Sequence, residues 1–478
     1  MTTSFVQEAD PTNLWRLDVI GILDPIEKSD KLAETERTQE FLIETANLNS
    51  EGRYEVRLPW KKDHAPISRN YEAAKSRLKK CVEKLSSRNL LEQYDEVFKQ
   101  WLAEGIIEEV FDDENKTAGH YLPHRSIIKA YGTTKIRPVF GASASSKGNP
   151  SLNQCLETGP NLIELIPSAL NRFREKEIRT VNDRLVVYRH CRVVFGLTCS
   201  PFLLTAIIEL HLSNLSKDKD TATKLKKSFY VDNCVTSVDS VDEIETFVKN
   251  ATSIMAKGGF ELRGWENSGK RATSFVLSVL WHKERDVILI NPALLKTNQS
   301  EILTKRQILS ATHRIFDPIG FTCPVSLFPK ILLRKLWTDN TDWDSEIKDN
   351  HKEEFTKWVK DLDVLKLIKI PQKLGKGTLT LHTFCDASSL AYAAAEFARV
   401  EDRNTIKVTL INAVSRIAPV KATIPRLELM AATIGVRLTR NVVKSLSREI
   451  NNITFWTDST TVLAWIKRDL QWGVFVWN

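Results

Sequence analysis

Three carboxylates near the C-terminal end stand where they could do chemistry. Asp386 closes the run TLTLHTFCD and is followed by Ala-Ser; Asp458 closes NITFWTD and is followed by Ser-Thr. Both runs have strand character, so both side chains should emerge at strand ends, where open sheets place ligands. Glu428 falls in the first turn of a helix that starts near Pro425. If that helix packs across the two strands, the three acids converge. Carboxylates crowded together repel unless cations neutralise them, and hard oxygen donors of this kind suit Mg²⁺. Two such ions about 3.5 to 4 Å apart clamp the attacking water and the leaving oxygen of an in-line phosphodiester displacement. Each acid also has a plainer reading: Asp386 and Asp458 as strand-end caps, Glu428 as a first-turn acid favoured by the helix dipole.

These residues need a particular set of elements to position them. TLTLHTFCDAS, LAYAAAEFA and TIKVTLINAV read as three strands. A helix follows with Leu427, Ala431, Ile434, Leu438 and Val442 on one face, then the strand NITFWTD and a helix from Ser459-Thr460. The order is β-β-β-α-β-α. Upstream, KRQILSATHRIFDPIGF opens a helical connector that runs through Trp337 and Trp343 toward Pro371, and from His120 to about Leu289 strand-like pieces alternate with helices. The fold class is therefore α+β. Changes of pattern divide the chain into 1–65 (a linker of short apolar pieces and turns), 66–290, 291–372 (the connector) and 373–478. Within the second block, Phe229 to Val235 is an apolar run interrupted by Asp232 and Asn233, the pattern of a tight hairpin. In VFGLTCSPF, Ser200 is placed to cap a helix with Pro201 at its first position.

With 478 residues the chain is too long for one ordinary core, and 42% hydrophobic content is ample to fold it. The net charge of +8 favours an anionic partner only modestly. Its distribution says more: Arg57 to Lys80 carries eight Lys or Arg against two acids, and Glu401 onward eleven against six. Such runs are phosphate-tracking faces or solvated helix surfaces. Seven cysteines show no metal-ligand spacing, which excludes a zinc motif or disulfide framework and points to a reducing compartment. MTTSFVQEAD lacks the basic start of a signal peptide, and no apolar run approaches the roughly 18 residues of a membrane span. An intracellular protein, cytoplasmic or nuclear, with no membrane partner is expected.

FCDASSLAYAAAEF, SRIAPVKATIPRLELMAA and FWTDSTTVLAWIK, in that order and spacing, resemble the RNase H-like domain of BEL/Pao-type retrotransposons. The resemblance implies that Asp386, Glu428 and Asp458 bind Mg²⁺, as a two-ion site, to cleave RNA in an RNA/DNA hybrid. The chain stops at Trp477-Asn478, before the region of the family's fourth acidic motif, which bears on the second ion. LPHRSIIK, TTKIRPVFGAS, VFGLTCSPF, KGGFELRGW and neighbouring segments resemble the polymerase of the same elements, so the likeness runs from about Gly52 to the end. It makes Tyr230-Val231-Asp232-Asn233 a Tyr-x-Asp-Asp hairpin with Asn233 in place of the second Asp. Arg137 and Lys129 become finger residues facing nucleotide phosphate, or else exposed strand cations.

Between Ile178 and Arg179 the family's palm strand with its first catalytic Asp is missing, and Asp183 sits too close to Phe195-Gly196 to replace it. The expectation is a polymerase without activity joined to a nuclease with residual Mg²⁺-dependent activity. The alternative is a catalytically silent nucleic-acid-binding remnant. The partners implied are an RNA/DNA hybrid or other nucleic acid, and other parts of a retroelement polyprotein. An aspartic peptidase is disfavoured, since neither Asp-Thr-Gly nor Asp-Ser-Gly occurs.

Overall fold

The computed structural model describes residues 36–468 except 51, 109–118, 129–135, 147, 161, 175–188, 191–195, 216–218, 239–240, 263–264, 266–272, 292–294, 296–301, 404 and 420–421. Helical residues 36–45 (α1) precede helices α2 (Tyr71–Ser86) and α3 (Leu91–Ala103), a hairpin of β1 (His124–Ile128) and β2 (Ile136–Phe140), and helices α4 (Ile166–Phe173) and α5 (Ser200–Ser213). Trp101, Phe140, Leu203 and Ile207 form the core of this part. Helix α5 departs in detail from the sequence reading. Cys199, not Ser200, is its N-cap, and no side chain caps it, because Ser200 has already entered the helix with Pro201 beside it.

A two-residue hairpin follows, β3 (Phe229–Tyr230) against β4 (Asn233–Cys234), with Tyr230 opposite Asn233. The turn residues are thus Val231 and Asp232. Val231 sits at φ 55°, a conformation that tight hairpins require and β-branched residues avoid. Helix α6 (Val241–Ala256) leads to an antiparallel sheet of β5 (Thr273–Val276), β6 (Val279–His282) and β7 (Val287–Leu289), which β8 (Ile370–Pro371) extends beyond β7.

Between β7 and β8 run α7 (Lys305–Arg314), α8 (Cys323–Thr338) and α9 (Asp349–Asp361). A capping box, Thr304 with Gln307, starts α7 by satisfying two otherwise orphaned backbone donors. Trp281, Ile308, Leu336, Trp358 and Leu170 share one buried cluster, so these helices close over the β5–β8 sheet and over α4. Lys305 is 4% exposed and lies over Trp337 and Trp343, at 4.7 and 5.6 Å from the ring centres; the indoles compensate part of its lost hydration.

The remaining strands are β9 (Thr378–Ala387), β10 (Ala391–Asp402), β11 (Thr405–Ile417) and β12 (Asn452–Trp456), with α10 (Ile424–Ser445) between β11 and β12 and α11 (Thr460–Lys467) last. The sheet order is β11-β10-β9-β12, antiparallel except for the parallel pair β9–β12. This is the β-β-β-α-β-α order read from the sequence, and the α+β class stands. Leu427, Ala431 and Val442 of α10 are fully buried against Leu379, Leu381, Cys385 and Ala394. Gly435 permits the close approach, since a β-carbon there would meet Cys385 Sγ at 2.5 Å.

The outer edge of β11 is not left open. The Ala413 amide donates to the Ile319 carbonyl at 2.7 Å, within a turn that Asp317 ties together by accepting the Gly320 and Thr322 amides. Arg174, fully buried at the end of α4, donates to the carbonyls of Leu410, Ile411 and Pro371. Burial pushes its guanidinium down to about 10. The six described cysteines are free thiols, and among the described residues no helix is long and apolar enough to cross a membrane.

Candidate functional site

The parallel pair β9–β12 sets the site. Thr380 lies opposite Asn452 and Phe384 opposite Trp456, so Asp386 and Asp458, each two residues further on, stand at matching positions at the ends of neighbouring strands. Below them Phe384 and Trp456 stack at 5.9 Å and 10°, and the Trp456 indole N–H donates to His382 Nδ1 at 3.3 Å. This side-chain ladder fixes the register that brings the two acids level. Both carboxylates are exposed.

Glu428 comes from above, in the first turns of α10, and is half-buried. Its Oε2 accepts the hydroxyl of Ser459, the residue after Asp458. Ser459 is also the N-cap of α11, where its Oγ accepts the Val462 amide at 3.2 Å. One buried serine therefore joins the end of β12 to the starts of α10 and α11.

The three acids gather at one end of the sheet but do not close into one ligand set. Among the described residues no group of three or more His, Cys, Asp or Glu side chains is arranged to hold a metal ion. The reason is local. Asp386 Oδ1 accepts its neighbouring Ala387 amide at 2.7 Å, and Glu428 is turned to Ser459. The donor set itself, three carboxylates on fixed elements, is chemically that of a Mg²⁺ site.

The other singled-out residues lie elsewhere. Asp232 is exposed in the hairpin turn and accepts the Asn233 amide group at 2.8 Å. Arg137 belongs to β2, opposite Ile127 in the β1–β2 pair. Lys129, Asp183 and the Ile178–Arg179 junction lie outside the described residues.

Sequence reasoning missed Ser459 as a link and missed Glu396 altogether. Glu396 lies in β10 opposite Thr383, is 0% exposed, and neither carboxylate oxygen has a hydrogen-bond partner. Burial pushes it up to about 7; the nearby Thr439 hydroxyl, paired with Thr383 at 2.7 Å, offsets only part of that cost. The signal was there: in LAYAAAEFA the buried phase falls on Tyr392, Ala394, Glu396 and Ala398.

A mixed four-stranded sheet in this order, with one long helix across it and acids at the ends of the parallel pair, is an RNase H-like arrangement. Residues 304–459 match the family model described as Pao retrotransposon-like RNaseH-like domain. That segment is accordingly of Pao retrotransposon type, and the resemblance read from its motifs holds. The match begins at the Thr304 cap, so α7–α9 are part of the matched segment together with the sheet.

No curated protein matches the chain. Solved structures that overlap it include the foamy viral protease-reverse transcriptase dRH in complex with double-stranded DNA, at 14% identity and a TM-score of 0.48, covering 90% of this chain and 76% of that one. A second is the foamy viral protease-reverse transcriptase in complex with an RNA/DNA hybrid, at 13% identity and a TM-score of 0.47, covering 92% of this chain and 60% of that one. These overlaps are loose, and the class rests on the sheet and the family match.

Proposed function

We propose that this chain binds RNA/DNA hybrids and hydrolyses the RNA strand with Mg²⁺ at Asp386, Asp458 and Glu428. The observation that carries the reading is the parallel register of β9 and β12, which levels Asp386 with Asp458 while Ser459 holds Glu428 beside them. Bound Mg²⁺ would activate the attacking water and stabilise the leaving oxygen. The chain's own part is positional. Asp386 and Asp458 present exposed side chains at the ends of β9 and β12, and Glu428 is held by Ser459, the residue after Asp458. The Ser459 hydroxyl, donated to Glu428 Oε2, orients that carboxylate.

The polymerase half is read as inactive. Asn233 offers a neutral amide where the resembling family has a metal-binding carboxylate, and the family resemblance implies that the palm strand with the first Asp is absent between Ile178 and Arg179. A second reading, a nucleic-acid-binding protein without catalysis, is favoured by the local partners of two of the acids, Asp386 with the Ala387 amide and Glu428 with Ser459. Mg²⁺-dependent cleavage of a labelled RNA strand in a hybrid by the full chain, compared with Asp386→Asn, decides between them. Cleavage lost in the variant supports the nuclease; no cleavage by a folded wild-type chain supports the silent binder.

A further inference from the structure

A second built feature lies apart from the acids. A cleft of about 730 Å³ opens between α1, the segment 59–65 and the segment 150–157, a size in the range of ligand sites. Trp60 lines it and is 43% exposed. That indole is not on a loose loop. Trp60 bridges to Leu156, whose side chain is fully buried; the Lys61 amide donates to the Cys155 carbonyl at 2.9 Å, and the Glu157 amide to the Pro59 carbonyl at 2.9 Å. The His64 ring sits 5.0 Å from the indole at 31°, and Phe41, 37% exposed, adds apolar surface from α1. A rigid aromatic left half in water within a concave surface is a contact residue more readily than a packing residue.

Charge tells what it would contact. Lys61 and Lys62 follow the indole directly, and among the described residues neither has an ion-pair partner. Arg37, Asp63 and Glu157 also line the cleft. The chain then runs from the cleft into α2, whose Lys75, Arg77, Lys79 and Lys80 are all exposed. An exposed π-face beside unpaired ammonium groups, continued by a basic helix, is complementary to a base and its phosphodiester backbone. A duplex keeps its bases stacked on one another and offers no free face, so the fitting partner is single-stranded.

We propose that the Trp60 cleft binds single-stranded nucleic acid, with a base stacked on the indole and the adjoining phosphates at Lys61 and Lys62. The site is independent of the nuclease reading, and its test is run in EDTA so that either can fail alone. Fluorescence anisotropy of a labelled oligo-dT or oligo-rA is measured with the full 478-residue chain. Trp60→Ala should weaken binding about tenfold, while Trp60→Phe, which keeps a π-face, should retain most of it. Lys61→Ala with Lys62→Ala should lower the slope of log affinity against log salt by about 1.4. Duplex binding should not respond to Trp60→Ala. The proposal is overturned if the folded Trp60→Ala and double-lysine proteins bind within about twofold of wild type with the same salt slope, or if duplex binding falls as much as single-strand binding.

Discussion

Glu396 makes the stability of the sheet depend on pH in a direction that can be worked out. Its carboxyl is buried without a hydrogen bond, and its value in the fold is about 7 against 4.5 for the free side chain. The protonated form is thus the one the core accepts. Stability from this residue is complete below about 4.5 and is lost as pH rises through about 7, a difference of about 3 kcal/mol. Glu396→Gln keeps the shape and cannot ionise, so the loss should vanish. Other groups titrate in both proteins, so the informative quantity is wild type minus variant. Pulse proteolysis in urea between pH 5 and 8, read on peptides from β10, isolates the sheet's own unfolding. The expected result is a variant increasingly more stable than wild type as pH rises, by up to about 3 kcal/mol at pH 8. A difference that stays constant across the range would refute the reasoning, because it would mean that Glu396 is not buried as an acid.

Other consequences follow from close packing and from buried donors. Gly435→Ala should cost about 1 to 3 kcal/mol by thermal melting, because the new β-carbon meets Cys385 Sγ at 2.5 Å; Cys385→Ala in the same chain should recover part of it. Arg174→Met should lower the melting temperature by an amount corresponding to about 3 kcal/mol, since the carbonyls of Leu410, Ile411 and Pro371 lose a buried donor. Template-directed dNTP incorporation should be undetectable, and Asn233→Asp alone should not rescue it, on the proposal that the first palm Asp is absent between Ile178 and Arg179.

The sheet was legible because it is built from period-two runs whose apolar phase has one consistent side. TLTLHTFCD and LAYAAAEFA alternate along the ten- and twelve-residue strands β9 and β10, and the α10 stripe from Leu427 to Val442 matches the face it buries. What escaped the sequence depends on contacts between distant segments. The direction in which Glu428 turns is set by a serine 31 residues away, and side-chain partners of that kind leave no periodic trace. The hairpin was expected at the right place with Asp232 and Asn233 as its turn. Strand pairing instead begins at Asn233 and puts Val231 in the turn, at a φ that its own side chain disfavours. Helix α5 likewise starts one residue earlier than read, with Cys199 at the cap and Ser200 drawn into the first turn. The connector read as a separate block packs into the same core as Trp281 and Leu170, a union that only tertiary contacts reveal. The Trp60 cleft is likewise assembled from three segments more than a hundred residues apart at their extremes.

The central claim concerns Asp386, Asp458 and Glu428 acting together, and hybrid cleavage tests it most directly. The full chain is incubated with an RNA/DNA hybrid labelled on the RNA strand, with Mg²⁺ or EDTA, beside Asp386→Asn and Asp458→Asn. The account predicts cleavage of the RNA strand with Mg²⁺ only, lost in both variants. Cleavage that survives either substitution, or a folded wild-type chain that binds the hybrid and leaves it intact, would contradict it.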